Sequence, residues 1–124
     1  MANESIIKLF EGNQVRILWN ETEEKYYFSV VDIVGVLTDS VNPTDYLKKL
    51  RKRDPEFGSF LGTNCPQVEM LTPTGKHRKT LAGDMEVILR IIESIPSKKA
   101  EPFKRWMAQV AAERINQMID PERS

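Results

Sequence analysis

Three short runs of alternating apolar residues open the chain, each closed by turn residues, and such runs fold most readily as antiparallel strands. Ser5 to Phe10 alternates and carries β-branched residues, and Glu11-Gly12-Asn13 supplies a turn. In the next run, Gln14–Trp19, the side chains of Val15, Ile17 and Trp19 share one face, as a period of two requires. Asn20 to Glu24 is an acidic turn, and Lys25–Val30 reads as a third strand. Strands this short, with connections this tight, predict a meander. The period then changes. Ser29-x-x-Asp32 resembles a capping pair opening a helix over Val30–Thr38, with Val31, Val34 and Leu37 facing inward.

Helical signals dominate the rest. Asn42 can cap free N–H groups and Pro43 suits a first helical position, so a helix is expected over Pro43–Arg53 with Tyr46, Leu47 and Leu50 as its apolar stripe. Asp54-Pro55 ends it, because the residue before proline is pushed out of the helical region. Residues 56–66 read as irregular. Gln67–Leu71 and Lys76–Leu81 form a hairpin around Thr72-Pro73-Thr74-Gly75, with proline at the first central turn position and glycine relieving left-handed strain. Asp84–Ser94 is apolar nearly all round and is expected to be a buried central helix. Ile95-Pro96-Ser97 breaks it, and Ser97 is expected to cap a last helix reaching about Met118, with Phe103, Trp106, Met107, Val110, Ile115 and Met118 as its core stripe and Pro102 near its start. The expected class is α+β: an antiparallel strand meander plus a hairpin, packed with about four helices. A chain of 124 residues can bury a core of its own, so a single domain is expected over 1–119, with 120–124 a polar tail or the start of a linker to a further domain.

Net charge is zero, yet the charge is polarised. Residues 1–47 hold three Lys/Arg against eight Asp/Glu, residues 48–79 hold eight against three, and residues 80–124 hold seven of each. At the centre of the basic segment stands Lys48-Lys49-Leu50-Arg51-Lys52-Arg53, five cations in six positions. Lys48/Lys52 and Lys49/Arg53 are i,i+4 pairs, so the cations share one side of the expected helix. Like charges so spaced cost ~0.2–0.5 kcal/mol per pair. The pattern points to a polyanionic partner, although a solvated helix face explains it about equally well on its own. A second cluster, Lys76-His77-Arg78-Lys79, falls on a strand whose side chains alternate, so about two of its cations can reach one phosphate track.

Catalysis finds little support. Cys65 and His77 are the only soft metal ligands, too few for a four-ligand zinc site within one chain, and as a nucleophile pair they lack an electropositive setting. Thr74-Gly75-Lys76 lacks the earlier glycine and the following Ser/Thr of a phosphate loop. No suitably spaced carboxylate precedes Glu23-Glu24-Lys25 for nuclease chemistry. The chain is therefore read as a non-enzyme with no cofactor or metal. No apolar run is long enough to span a membrane, and one cysteine cannot form an intramolecular disulfide, which fits a cytoplasmic setting.

Four stretches together resemble the Bro-N domain, the N-terminal domain of the BRO family and of many phage antirepressors. They are Tyr27-Phe28-Ser29-Val30-Val31-Asp32-Ile33; Asn42-Pro43 with Tyr46 and the basic helix; Thr74-Gly75-Lys76; and Ile95 through Trp106 with its Ala-x-x-Phe-x-Arg-Trp core. The tail around Glu113-Arg114-Ile115 and Asp120-Pro121-Glu122 is similar to the DNA-damage-inducible protein D branch. The resemblance implies a DNA-binding α+β domain without catalysis, commonly followed by a variable C-terminal domain. Phe28 and Trp106 are explained well enough as core anchors and Asp32 as a helix-capping carboxylate.

The leading expectation is thus the DNA-binding domain of a phage-type antirepressor or related transcription regulator, bound to double-stranded DNA mainly through phosphates. Lys48, Lys49, Arg51, Lys52 and Arg53 would form the first contact line and Lys76, Arg78 and Lys79 the second. Lys104 and Arg105, on the polar side of the helix beside Trp106, are further candidates. The alternative is a protein-interaction module whose acidic first third engages a repressor protein without touching DNA.

Overall fold

The computed structural model describes the backbone of residues 4–119 and the side chains through Glu113. Three strands come first: β1 (Glu4–Phe10), β2 (Asn13–Asn20) and β3 (Lys25–Ser29). Helices α1 (Val30–Thr38), α2 (Pro43–Arg53) and α3 (Pro55–Asn64) come next, then strands β4 (Gln67–Leu71) and β5 (His77–Asp84), and finally α4 (Met85–Ser94) and α5 (Ala100–Ile119). All strand pairings are antiparallel, in the order β1-β2-β3-β5-β4. The class is α+β, a meander plus a hairpin with helices packed on it, in a single domain. None of the described helices is long and apolar enough to cross a membrane.

The sheet buries both faces. Val15, Ile17 and Phe28 look toward the helices and join Ile33, Ile88 and Phe103 in the main core, all of them fully buried. On the other face Leu18, Tyr27, Met70 and Ala82 form a second, smaller cluster inside the curl of the sheet. The curl brings the two edge strands together, where the Leu71 N–H donates to Ser5 Oγ at 2.7 Å. At Gly83 a Cβ would stand 2.8 Å from Val87 Cγ1, so glycine lets β5 cross the first turn of α4.

Several boundaries differ from expectation for local reasons. Strand β3 stops at Ser29, one residue early, because Ser29 turns to cap α1: its Oγ accepts the Asp32 N–H at 3.4 Å. The Asp32 carboxylate does not complete a capping box. It turns to Arg16, accepting from the backbone N–H (3.0 Å), Nε (2.9 Å) and Nη2 (3.2 Å). In α1 the inward residues include Val30 and Ile33, while Val31 is only half-buried. Segment 56–66 is not irregular: it is mostly α3, making five helices instead of four. Asp54 both closes α2, with its N–H on the Leu50 carbonyl, and caps α3, with Oδ1 accepting the Phe57 N–H at 3.2 Å. Proline after it fits the first turn of the next helix as well as it stops the last one.

Strand β5 runs three residues beyond Leu81 and starts one residue later than expected, and Asp84 is the cap of α4 rather than part of it. Helix α4 is not buried all round, since Glu86, Leu89, Arg90 and Glu93 are exposed on its outer side. Ser97 precedes the first residue of α5 by three; its Oγ accepts the Lys99 N–H and donates to the Leu37 carbonyl, pinning the connection to α1. Phe103, Met107 and Val110 are buried as expected, whereas Trp106 is half-buried. Its indole lies over Phe10 and Phe103 with Nε1 donating to the Leu9 carbonyl at 3.0 Å. Ile115 and Met118 lie outside the described side chains, and residues 120–124 outside the described backbone.

This packing makes the anchors testable. Phe28→Ala removes a fully buried ring and should cost ~3–5 kcal/mol, while Trp106→Ala, at a half-exposed site, should cost about 2–3 kcal/mol; urea titrations compare them directly. A second prediction concerns Asp84, which caps α4 through the Val87 N–H (3.0 Å) and pairs with Lys25 Nζ (2.9 Å). Burial alone would raise its carboxyl, but the Val87 N–H and the Lys25 ammonium outweigh burial and hold it below the usual carboxylate range. A depressed folded pKa contributes stability above the unfolded value of ~3.9, and that stability is lost as pH falls through the folded value. Asp84→Ala should therefore cost ~1–2 kcal/mol at neutral pH, with the gap from wild type narrowing in titrations below about pH 4.

Candidate nucleic-acid interface

The basic helix is anchored at both ends. Asn42 Oδ1 accepts the Asp45 N–H at 3.1 Å, Pro43 opens the first turn, and Leu47 and Leu50 bury the inner side. This leaves Lys48, Lys49, Lys52 and Arg53 exposed and Arg51 half-exposed. They do not act as one face. Lys48, Arg51 and Lys52 join Thr44, Leu47, Pro55 and Gly58 around a cleft of about 500 Å³. Lys49 instead pairs with Asp45 one turn back, at 3.1 Å, and neither Lys49 nor Arg53 lines that cleft.

Thr44 and Leu47 also belong to a second cleft of about 820 Å³, so the two clefts adjoin at these residues. Its opposite wall is the β4–β5 hairpin: the turn Thr72–Thr74, then Lys76, Arg78 and Lys79. Gly75 takes a left-handed φ of 89° just after the turn, and its N–H donates to the Thr72 carbonyl. Val31, Leu81, Thr80 and Arg16 complete the cleft. Lys79 reaches it as well as Lys76 and Arg78, although strand alternation puts Lys79 on the opposite side. The register explains this. Strand β3 pairs with β5 only at residues 82–84, so residues 77–81 bond to β4 alone and turn their other edge toward α1 and α2. Side chains of both parities can reach over an open edge.

Two cationic clusters more than twenty residues apart in sequence thus line adjoining clefts, which together make a groove. No residue lining it is acidic. Among the described residues, none of Lys48, Arg51, Lys52, Lys76, Arg78 and Lys79 is held in an ion pair. The hairpin threonines are occupied locally: Thr72 Oγ1 accepts the Lys76 N–H and meets Thr74 Oγ1 at 2.9 Å, and Thr80 Oγ1 donates to the Arg78 carbonyl. Arg16 already has its counter-ion in Asp32 at 2.9 Å. The groups left to meet a ligand are therefore mainly ammonium and guanidinium groups, with the Thr44 hydroxyl, above an apolar floor of Val31, Leu47 and Leu81.

Lys104 and Arg105 line neither cleft; Lys104 faces Glu101 at 3.4 Å on its own helix and Arg105 is exposed. Cys65 is buried at the end of α3, and that burial pushes its thiol up to about 11, so it is no thiolate at neutral pH. No group of three or more His, Cys, Asp or Glu side chains among the described residues is arranged to hold a metal ion. Sequence reasoning overlooked Arg16 and Thr44. An arginine on a strand between two buried residues was a legible signal for the first; Thr44 carries none.

Searches of curated proteins and of solved structures returned no match. A family model does match, over residues 14–112, which takes in β2 through most of α5 and both walls of the groove. The chain belongs to the Bro-N family, the BRO family's N-terminal domain.

Proposed function

We propose that this chain is a DNA-binding domain of a phage-antirepressor-type transcription regulator, and that it holds duplex DNA by the phosphates with Lys48, Arg51 and Lys52 on one side and Lys76, Arg78 and Lys79 on the other. The observation that carries the reading is the joining of two separate basic clusters into one groove free of acidic side chains. Binding of single strands generally relies on aromatic platforms for the bases, and no lining residue is aromatic. A duplex backbone suits cations over an apolar floor better. Asn and Gln, the side chains that pair with adenine edges, are missing from the walls, and the cations there suit phosphates first, so contact with the backbone is read as positioning the protein. A single buried cysteine fits work in the cytoplasm.

Salt dependence tests this most directly. With about 4–6 phosphates engaged, log K against log salt should fall with a slope of about −4 to −5. A flat response, or no binding at low salt, overturns the reading; binding to a repressor protein in its place would make the domain a protein-interaction module. The roles within the groove are separable. Neutralising Lys76 and Arg78 together should weaken binding to all duplex sequences alike and lower the slope by about 2. Lys49→Ala and Arg53→Ala, outside the walls, should each change affinity by less than about threefold.

A further inference from the structure

We propose that Arg16 is a positioning residue for the groove: its clasp on Asp32 and Thr80 holds the basic hairpin at the distance from α2 at which both walls meet one DNA backbone. The inference rests on the DNA-binding reading and adds to it the part that sets the groove's geometry.

The need for a clasp comes from the sheet. Residues 25–29 of β3 separate β2 from β5, but β3 ends at Ser29, where the chain turns into α1. Beyond that point β5 has lost its neighbour, and residues 77–81 continue as half of a two-stranded arm. Arg16 sits on β2 opposite Ser29, one step past the last β2–β3 pair, Ile17 with Phe28, where the chain turns away into α1. Its backbone N–H goes to the Asp32 carboxylate, and its side chain spans the gap that β3 leaves. Nε and Nη2 grip both Asp32 oxygens, Nη2 also reaches Ser29 Oγ at 3.2 Å, and Nη1 reaches Thr80 Oγ1 at 3.4 Å. Thr80 Oγ1 in turn donates to the Arg78 carbonyl at 3.1 Å. A relay of hydrogen bonds therefore runs from the first turn of α1 through Arg16 to the backbone of the basic strand. Only a guanidinium offers donors in this forked arrangement.

Direct contact with a phosphate is a weaker account of Arg16. Its charge is neutralised by Asp32, and both side chains are about four-fifths buried, at 17% and 18% exposure. The second tie on the arm, Leu71 N–H to Ser5 Oγ, holds β4 at the far edge, and the β4–β5 pairing passes that restraint to β5. The Arg16 clasp is the tie on the β5 edge that faces the groove, next to Arg78 and Lys79.

A double-mutant cycle tests the role. In the wild-type background, neutralising Lys76 and Arg78 should weaken duplex binding by about tenfold or more at moderate salt. In an Arg16→Gln background the same change should cost less than about threefold, since the arm is already misplaced, while Lys48→Ala with Lys52→Ala keeps its full effect. Arg16→Lys preserves the charge without the fork and should behave as Arg16→Gln. Full additivity with the arm, equal loss of additivity with arm and helix, or rescue by Arg16→Lys would each overturn the proposal. Amide hydrogen exchange reads the same device without DNA: Arg16→Gln should speed exchange in residues 77–81 by about tenfold and leave residues 47–53 unchanged. Unchanged exchange in the arm overturns it too. Should wild type fail to bind DNA, the function falls while the exchange result still decides whether the clasp exists. Thr80→Val, which removes only the middle link, replaces Arg16→Gln in both measurements where the latter does not fold.

Discussion

The pairing of Arg16 with Asp32 is the contact on which the sheet, the first helix and the groove all depend. It forms because β3 is short. Had the strand continued past Ser29, β5 would have been paired along its whole length and its basic edge covered. Ending β3 opens that edge but strands polar groups of β2 and β5 at the same level. One side chain answers for both: Arg16 satisfies Asp32, Ser29 and Thr80 while its own backbone N–H is satisfied by Asp32. Losing one partner of a fully buried pair costs ~3–5 kcal/mol because a charge is left without its counter-ion, and this partly buried pair falls below that range. Such a tie makes a firm support beside the apolar floor of the groove.

The two basic clusters carry unequal information about function. Crowding on α2 demands a counter-charge only when the helix is considered without its ends. Arg51, Lys52 and Arg53 occupy its last turn, where the helix dipole favours cations by ~0.3–1 kcal/mol each, and Lys49 has Asp45 one turn away. Helix α2 therefore tolerates much of its charge with no ligand at all. The hairpin has no such relief. Lys76, at the end of the turn, and Arg78 and Lys79, on a strand without a dipole, stand exposed, and the carboxylate nearest in register, Glu69 opposite Lys79, forms no ion pair with it. The arm is the stronger indication of a polyanion, even though the helix is the more conspicuous in sequence.

Legibility of the fold tracks the range of the interactions that decide it. Caps, turns and period are local, and Ser29, Asn42 and the Thr72–Gly75 turn are readable where they stand. Helix α3 is not, because Asp54-Pro55 is a stop signal and a start signal at once, and Gly58 and Gly62 lower the helix propensity of residues 56–64. The second core is invisible for another reason: Leu18, Tyr27, Met70 and Ala82 come from four strands, and only the curl of the sheet brings them together. The site divides in the same way. Its cations stand out by charge, but their assembly into one groove needs the order β3-β5-β4, and Asp32 reads as a capping carboxylate because its true partner lies sixteen residues away.

A two-stranded hairpin is at best marginally stable in water, so a bare arm would be a poor instrument for placing cations. Here it is held along its length by different means on its two strands. The buried Met70 ties β4 into the inner cluster, Ser5 Oγ takes the Leu71 N–H at the edge, and Thr80 ties β5 to Arg16. Beyond these ties only residues 73–79 are fully exposed in a continuous stretch, and three of those seven are Lys or Arg. Order is thus imposed on the arm up to the point where the charges begin. Long, flexible side chains on a fixed backbone suit phosphates, which recur along DNA regardless of sequence. Base edges demand side chains held as firmly as the backbone, and the hairpin's short polar groups, Thr72, Thr74 and Thr80, spend their hydroxyls on the hairpin itself. On the proposed DNA-binding reading the groove suits a phosphate backbone, while its hairpin hydroxyls are not free to read base edges.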